Sequence, residues 1–159
     1  MNEEKKISPR HRRFFIFLKK LSLGILIISG ITFLEIFWSM GKLSDQMSSG
    51  CLECSFTEDA LFISLITGVF LSAVFALFAF IRNLIVRMIT ELIILLIVWL
   101  FFNYSIFVER ESSWSTYSFN EELYYTLTLS VFPVIITGIT AVIILHFKEI
   151  KARFARPAK

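Results

Sequence analysis

Four apolar runs, each about as long as a bilayer is thick, constrain this chain more than any other feature. They cover residues 21–41, 60–81, 88–108 and 123–147. A helix needs roughly 20 apolar residues to cross a ~30 Å hydrocarbon core. Lipid offers no partners for backbone N–H and C=O groups, so such runs must be helices that satisfy themselves. The connections are short, which makes neighbouring spans antiparallel. The expected fold is therefore an all-α integral membrane protein, a four-transmembrane-helix up-down bundle with both termini on one side. Composition agrees. Fifty-six per cent of the 159 residues are hydrophobic and eighteen are Phe, more apolar surface than a soluble domain this small can bury. The basic segments 1–20 and 148–159 flank the transmembrane domain, residues 21–147, and leave no room for a soluble catalytic domain. The first run is longer than a signal-peptide core and lacks a small-x-small cleavage site after it, so it reads as a retained anchor.

Lys and Arg set the orientation. Seven lie in the N-terminal segment, two (Arg82 and Arg87) between the second and third runs, and five in the C-terminal tail. Only Lys42 and Arg110 of the sixteen fall in the other two loops. That bias places both termini in the cytoplasm, with a bacterial inner membrane as the expected location. The two outer loops instead carry Asp45, Glu53, Glu58, Asp59, Glu109, Glu111, Glu121 and Glu122, a net formal charge of −6. Trp38, Tyr104, Tyr124 and Tyr125 fall near the outer boundary, where amphipathic rings are favoured. Phe14, Phe15 and Phe17 among Arg12, Arg13, Lys19 and Lys20 suit the start of the first helix to an anionic leaflet.

Within the bilayer, helices associate through close backbone approach and polar contacts rather than a hydrophobic drive. The second run spaces Ala60, Ser64, Gly68, Ser72 and Ala76 four apart, which puts small side chains on one helix face. The fourth places Thr126, Ser130, Thr137 and Ala141 on roughly one face, and Pro133 removes a backbone donor there. The third is nearly uniform in large apolar residues from Leu92 to Phe102 and is expected to expose the most lipid-facing surface of the four.

Glu35 is the costliest residue in the chain, because an intramembrane carboxyl is a candidate binding or proton-handling group. It shares a face with Thr32, Ser39 and Lys42, a polar stripe suited to the bundle interior. Glu91 follows Arg87 by four residues and reads as a structural ion pair. His11 and His146 have no second ligand at metal-binding spacing, so neither a metal nor another cofactor is expected. No phosphate loop, nucleophile elbow or zinc-protease motif is present. The sequon Asn103-Tyr104-Ser105 lies at the membrane edge, too close for glycosylation.

Cys51 and Cys54 are the only cysteines. Ser55 and Glu58 beside them form a capping-box pattern that starts the second helix. The pair can be a redox dithiol, a local staple or two free thiols. Four spans with Cys51-Leu52-Glu53-Cys54 in the outer loop before the second resemble the bacterial disulfide-bond formation protein B family. That resemblance implies thiol–disulfide exchange at Cys51 and Cys54. The family's second outer cysteine pair has no counterpart between Glu109 and Glu122.

The leading functional expectation is a non-enzymatic protein that binds another membrane component, a membrane protein or a second copy of itself, and does not bind nucleic acid. The loop ERESSWSTYSFNEE sets Trp114, Tyr117 and Phe119 between carboxylates, which is recognition material. One form is an accessory subunit of a larger complex. Another is a toxin-immunity protein, since the four-span layout is similar to that of the immunity proteins of colicin A-type bacteriocins. The alternatives are a membrane redox protein using Cys51 and Cys54, or a transport or proton-linked role through Glu35.

Overall fold

The structure, a computed structural model, describes residues 9–155. Four helices carry nearly all of them: α1 (Pro9–Met40), α2 (Phe56–Phe78), α3 (Leu84–Arg110) and α4 (Phe119–Phe154). Short 3-10 turns, Gly41–Leu43 and Ser112–Trp114, follow α1 and α3. No strand occurs among the described residues. All four helices are long and apolar enough to cross a bilayer. Large apolar side chains cover their outward faces, among them Leu26, Leu34, Leu65, Leu77, Ile97 and Phe132. That surface suits lipid and not water, as four helices of spanning length and polarity require of a multi-pass membrane protein.

α3 and α4 overrun their apolar runs at both ends, α1 and α2 only at their starts, and α2 stops at Phe78, short of the expected 81. Charged residues extend them: α1 includes Lys19 and Lys20, and α4 includes Lys148 and Lys151. Capping decides the starts. Ser55 and Glu58 make the reciprocal box ahead of α2, with Glu58 N–H donating to Ser55 Oγ at 3.2 Å and Ser55 N–H to Glu58 Oε2 at 3.0 Å. Ser118 and Glu121 repeat the device at α4. Asn83 Oδ1 accepts from Ile85 N–H at α3. The N-terminal arrangement of Phe14 with Arg12 and Arg13 lies outside the described side chains, while Phe15 and Phe17 are exposed.

Both described chain ends lie at one end of the bundle with the 79–83 connection, here termed the terminal end. The 41–55 and 111–118 segments lie at the opposite, loop end. α1 packs along α2 and α4, and α4 along α3, whereas α2 and α3 barely touch. An apolar cleft of about 350 Å³ therefore opens between α2 and α3, lined by Ile66, Phe70, Ile97, Phe101 and Phe102 among others.

The small face of α2 turns onto α1. Ala60, Ser64, Gly68 and Ser72 are buried and Ala76 is half-buried. Gly68 is the point of closest approach: a Cβ there would meet Ser29 Oγ and stand 3.0 Å from the Ile25 carbonyl oxygen. The Ile25 oxygen is backbone, so a larger residue must push the helices apart. Gly68→Ala is expected to cost about 1–3 kcal/mol of bundle stability, read as a lowered unfolding midpoint in detergent. An unchanged midpoint would show that the α1–α2 contact is looser than this.

Candidate functional site

The interior holds two polar centres and the loop end holds a third. The buried face of α3 runs through Glu91, Leu95, Trp99 and Asn103, each four residues from the last, and ends at Arg110. One helix stripe thus supplies a member to every polar centre.

The first centre surrounds Glu35, which is fully buried. Asn103 Nδ2 donates to Glu35 Oε1 at 2.8 Å, and Ser39 Oγ donates to the same oxygen. A turn away, Trp99 Nε1 donates to Thr32 Oγ1 at 2.9 Å. Glu35 Oε2 and Asn103 Oδ1 remain without a protein partner. Burial of Asn103 also removes the sequon from any glycosylating enzyme. A glutamine at 35 keeps the oxygen that accepts from Asn103 and Ser39 and changes only the unpartnered Oε2. Glu35→Gln should therefore leave stability within about 1 kcal/mol, whereas Asn103→Leu, which strips Glu35 of a donor, should cost about 1–3 kcal/mol. Equal losses in the two variants would contradict this ledger.

The second centre lies at the terminal end. His146 on α4 bonds Glu91 Oε2 through Nε2 at 2.5 Å, and Arg87 Nη2 donates to His146 Nδ1 at 2.8 Å. Arginine cannot accept a hydrogen bond, so Nδ1 is bare and the ring proton sits on Nε2, facing the carboxylate. Arg87 also bonds Glu149. Its Nε stands 3.8 Å from Glu91 Oε1, beyond hydrogen-bond reach. The Arg87–Glu91 pair expected from i, i+4 spacing is thus the weaker contact, and the partner across the bundle is His146. Between the two centres, Ile28, Leu71, Leu95, Trp99, Val134 and Ala141 form one apolar layer.

The third centre is a cap joining both loops. Arg110, 2% exposed, donates to the Gln46 carbonyl at 2.6 Å, to Asp59 Oδ2 at 2.5 Å and to the Cys54 carbonyl at 3.4 Å. Its guanidinium also stands 5.2 Å from the centre of the Phe56 ring. Ser49 N–H donates to the Glu109 carbonyl at 2.9 Å. Cys51 and Cys54 form a disulfide with Cα atoms 5.3 Å apart, closing the loop that offers the Cys54 carbonyl to Arg110.

The aromatic candidates divide. Trp114 Nε1 donates to the Met47 carbonyl at 2.9 Å, yet the residue stays 56% exposed. Tyr117 is half-buried against Phe107 and Tyr125. Desolvation, with the Glu111 carboxylate nearby, holds its phenol above the usual range, so the hydroxyl keeps its proton. Phe119 leans on Tyr104 but is 63% exposed.

Sequence reasoning missed Asn103, Arg110 and the Glu91–His146 pairing as centres. The one available signal was the shared α3 stripe of Glu91 and Asn103, twelve residues apart. Comparison of the chain with protein-family models, curated proteins and solved structures finds no match. The functional reading therefore rests on geometry.

Proposed function

We propose that this protein is a non-enzymatic multi-pass membrane protein that recognises another membrane component through its loop-end cap. The observation that carries the reading is the cap's construction. Arg110 ties the end of α3 to the 41–55 loop and the start of α2, and Trp114 bonds that loop from 111–118, while Met47, Leu52, Trp114 and Phe119 stay exposed among carboxylates. A rigid surface loses little entropy on binding, and exposed aromatics framed by charge suit a partner that is apolar with basic surroundings. The Lys and Arg bias puts the terminal end in the cytoplasm and the cap outside. An accessory subunit and an immunity-type protein both fit this scheme.

Site-directed photo-crosslinking tests it. A photoreactive residue at 114 should capture a defined membrane protein in living cells, and one at lipid-facing Leu65 should not. Capture should fall when Glu53 and Glu109 are both changed to lysine. Equal capture from 114 and 65, or capture indifferent to the charge reversal, would remove the cap as a recognition surface. A thiol-redox role is the second reading, supported by the closed Cys51–Cys54 pair. It requires that Cys51→Ser with Cys54→Ser abolish the host phenotype, whereas the recognition reading expects a loss of only about 2 kcal/mol from opening so short a loop.

A further inference from the structure

A cavity of about 240 Å³ opens at the terminal end, where all four helices contribute to its wall. Apolar side chains, among them Phe17, Leu21, Phe75 and Leu145, make up most of that wall. Lys20, Ser72, Arg87, Glu91, His146 and Glu149 supply its polar groups. An amphipathic pocket with a few converging polar groups is the usual form of a small-ligand site.

The hydrogen-bond ledger says what kind of ligand. Glu91 is engaged by His146, and Glu149 by Arg87. Arg87 Nε and the hydroxyl of Ser72, both buried in the cavity wall, have no hydrogen-bond partner in the protein, Nε standing 3.8 Å from Glu91 Oε1. Lys20 is exposed and adds an ammonium to the same wall. The unmet demand is for an acceptor. With His146 neutral, the two cations and two carboxylates around the cavity balance, so a ligand that brings its own compensating positive charge fits better than a purely anionic one. Glu149 is the more exposed carboxylate, its side chain 54% accessible, and while Oε2 bonds Arg87 its other oxygen can take an added ammonium. The cavity also lies at the terminal end, whose segments carry Lys19, Arg82 and Lys148, and basic flanks of this kind meet lipid phosphates.

We propose that this cavity binds the head group of a zwitterionic aminophospholipid, its phosphate on Lys20, Arg87 and Ser72 and its ammonium on Glu149. The apolar wall takes the adjoining start of the acyl chains. The site is independent of the loop-end cap, so the failure of either proposal leaves the other standing.

The test uses the full chain, purified in mild detergent, delipidated and placed in phosphatidylcholine nanodiscs doped with phosphatidylethanolamine or phosphatidylglycerol. Retained lipid is then counted by native mass spectrometry. The wild type should retain one phosphatidylethanolamine per chain. Lys20→Ala, a change at an exposed side chain, should weaken retention about fivefold, the effect of one phosphate-facing cation. Ala76→Phe, which fills the cavity without touching a charge, should abolish it. Free phosphoethanolamine at matched concentration should not compete. Retention unchanged in both variants, or none in the wild type, overturns the proposal. Preference for phosphatidylglycerol overturns the ammonium assignment, and competition by free phosphoethanolamine reassigns the cavity to a soluble phosphate ester.

Discussion

Replacing His146 with leucine is expected to destabilise the bundle by about 3–5 kcal/mol, the cost of leaving the buried Glu91 carboxylate without its hydrogen-bond donor. Glu91 would stay 2% exposed, with Arg87 Nε at 3.8 Å as its nearest cation. Arg87 would lose the His146 acceptor in the same change. The double variant Glu91→Leu with His146→Leu should recover most of the loss, because removing both members leaves apolar volume and no stranded charge. Unfolding followed by helicity in a denaturing-detergent titration measures both. If the double variant is as unstable as the sum of the singles, the pair contributes nothing as a pair.

Arg110→Met should be nearly as damaging, at about 3 kcal/mol, and its effect should be local. Methionine keeps the apolar stem against Phe56 but cannot donate. The Gln46 and Cys54 carbonyls and the Asp59 carboxylate would then face a thioether. Asp59 retains a side-chain accessibility of 28% and can rehydrate, which holds the cost below that of the inner pair. Amide hydrogen exchange should quicken across residues 44–55 and 111–118 and stay slow in the buried turns of α2 and α3. Uniform acceleration along all four helices would mean that Arg110 supports the whole bundle. Unaltered exchange would mean that the cap does not depend on it.

The helices themselves were legible because hydrocarbon leaves the backbone one option. The runs at 21–41, 60–81, 88–108 and 123–147 all became helices, and Ser55 with Glu58 marked a helix start correctly. Helix ends were less legible. Past the hydrocarbon boundary, capping and side-chain hydrogen bonds decide them, so α1 and α4 run on through charged residues. α3 does bury the smallest share of the four spans, but its low-polarity look hid what its inner face carries. Ile85, Val86, Ile89, Ile93, Ile97 and Phe101 do face outward, but the opposite stripe carries Glu91, Asn103 and Arg110. One strongly polar residue every two to three turns is diluted in a hydropathy average, yet each sits where a partner from another helix meets it.

The sequence by itself determined that the chain is helical, that it has four bilayer-length segments, and where its fixed charges lie along them. These are local properties, set by apolar run length and by backbone hydrogen bonding without water. Only the tertiary structure decided that Glu35 meets Asn103, that Glu91 meets His146 and not chiefly Arg87, and that Arg110 reaches from the end of α3 to the 41–55 loop. Those choices depend on the rotation and height at which helices pack. They are fixed by side-chain fit, such as the close approach at Gly68, and by the demand that each buried polar group find a partner.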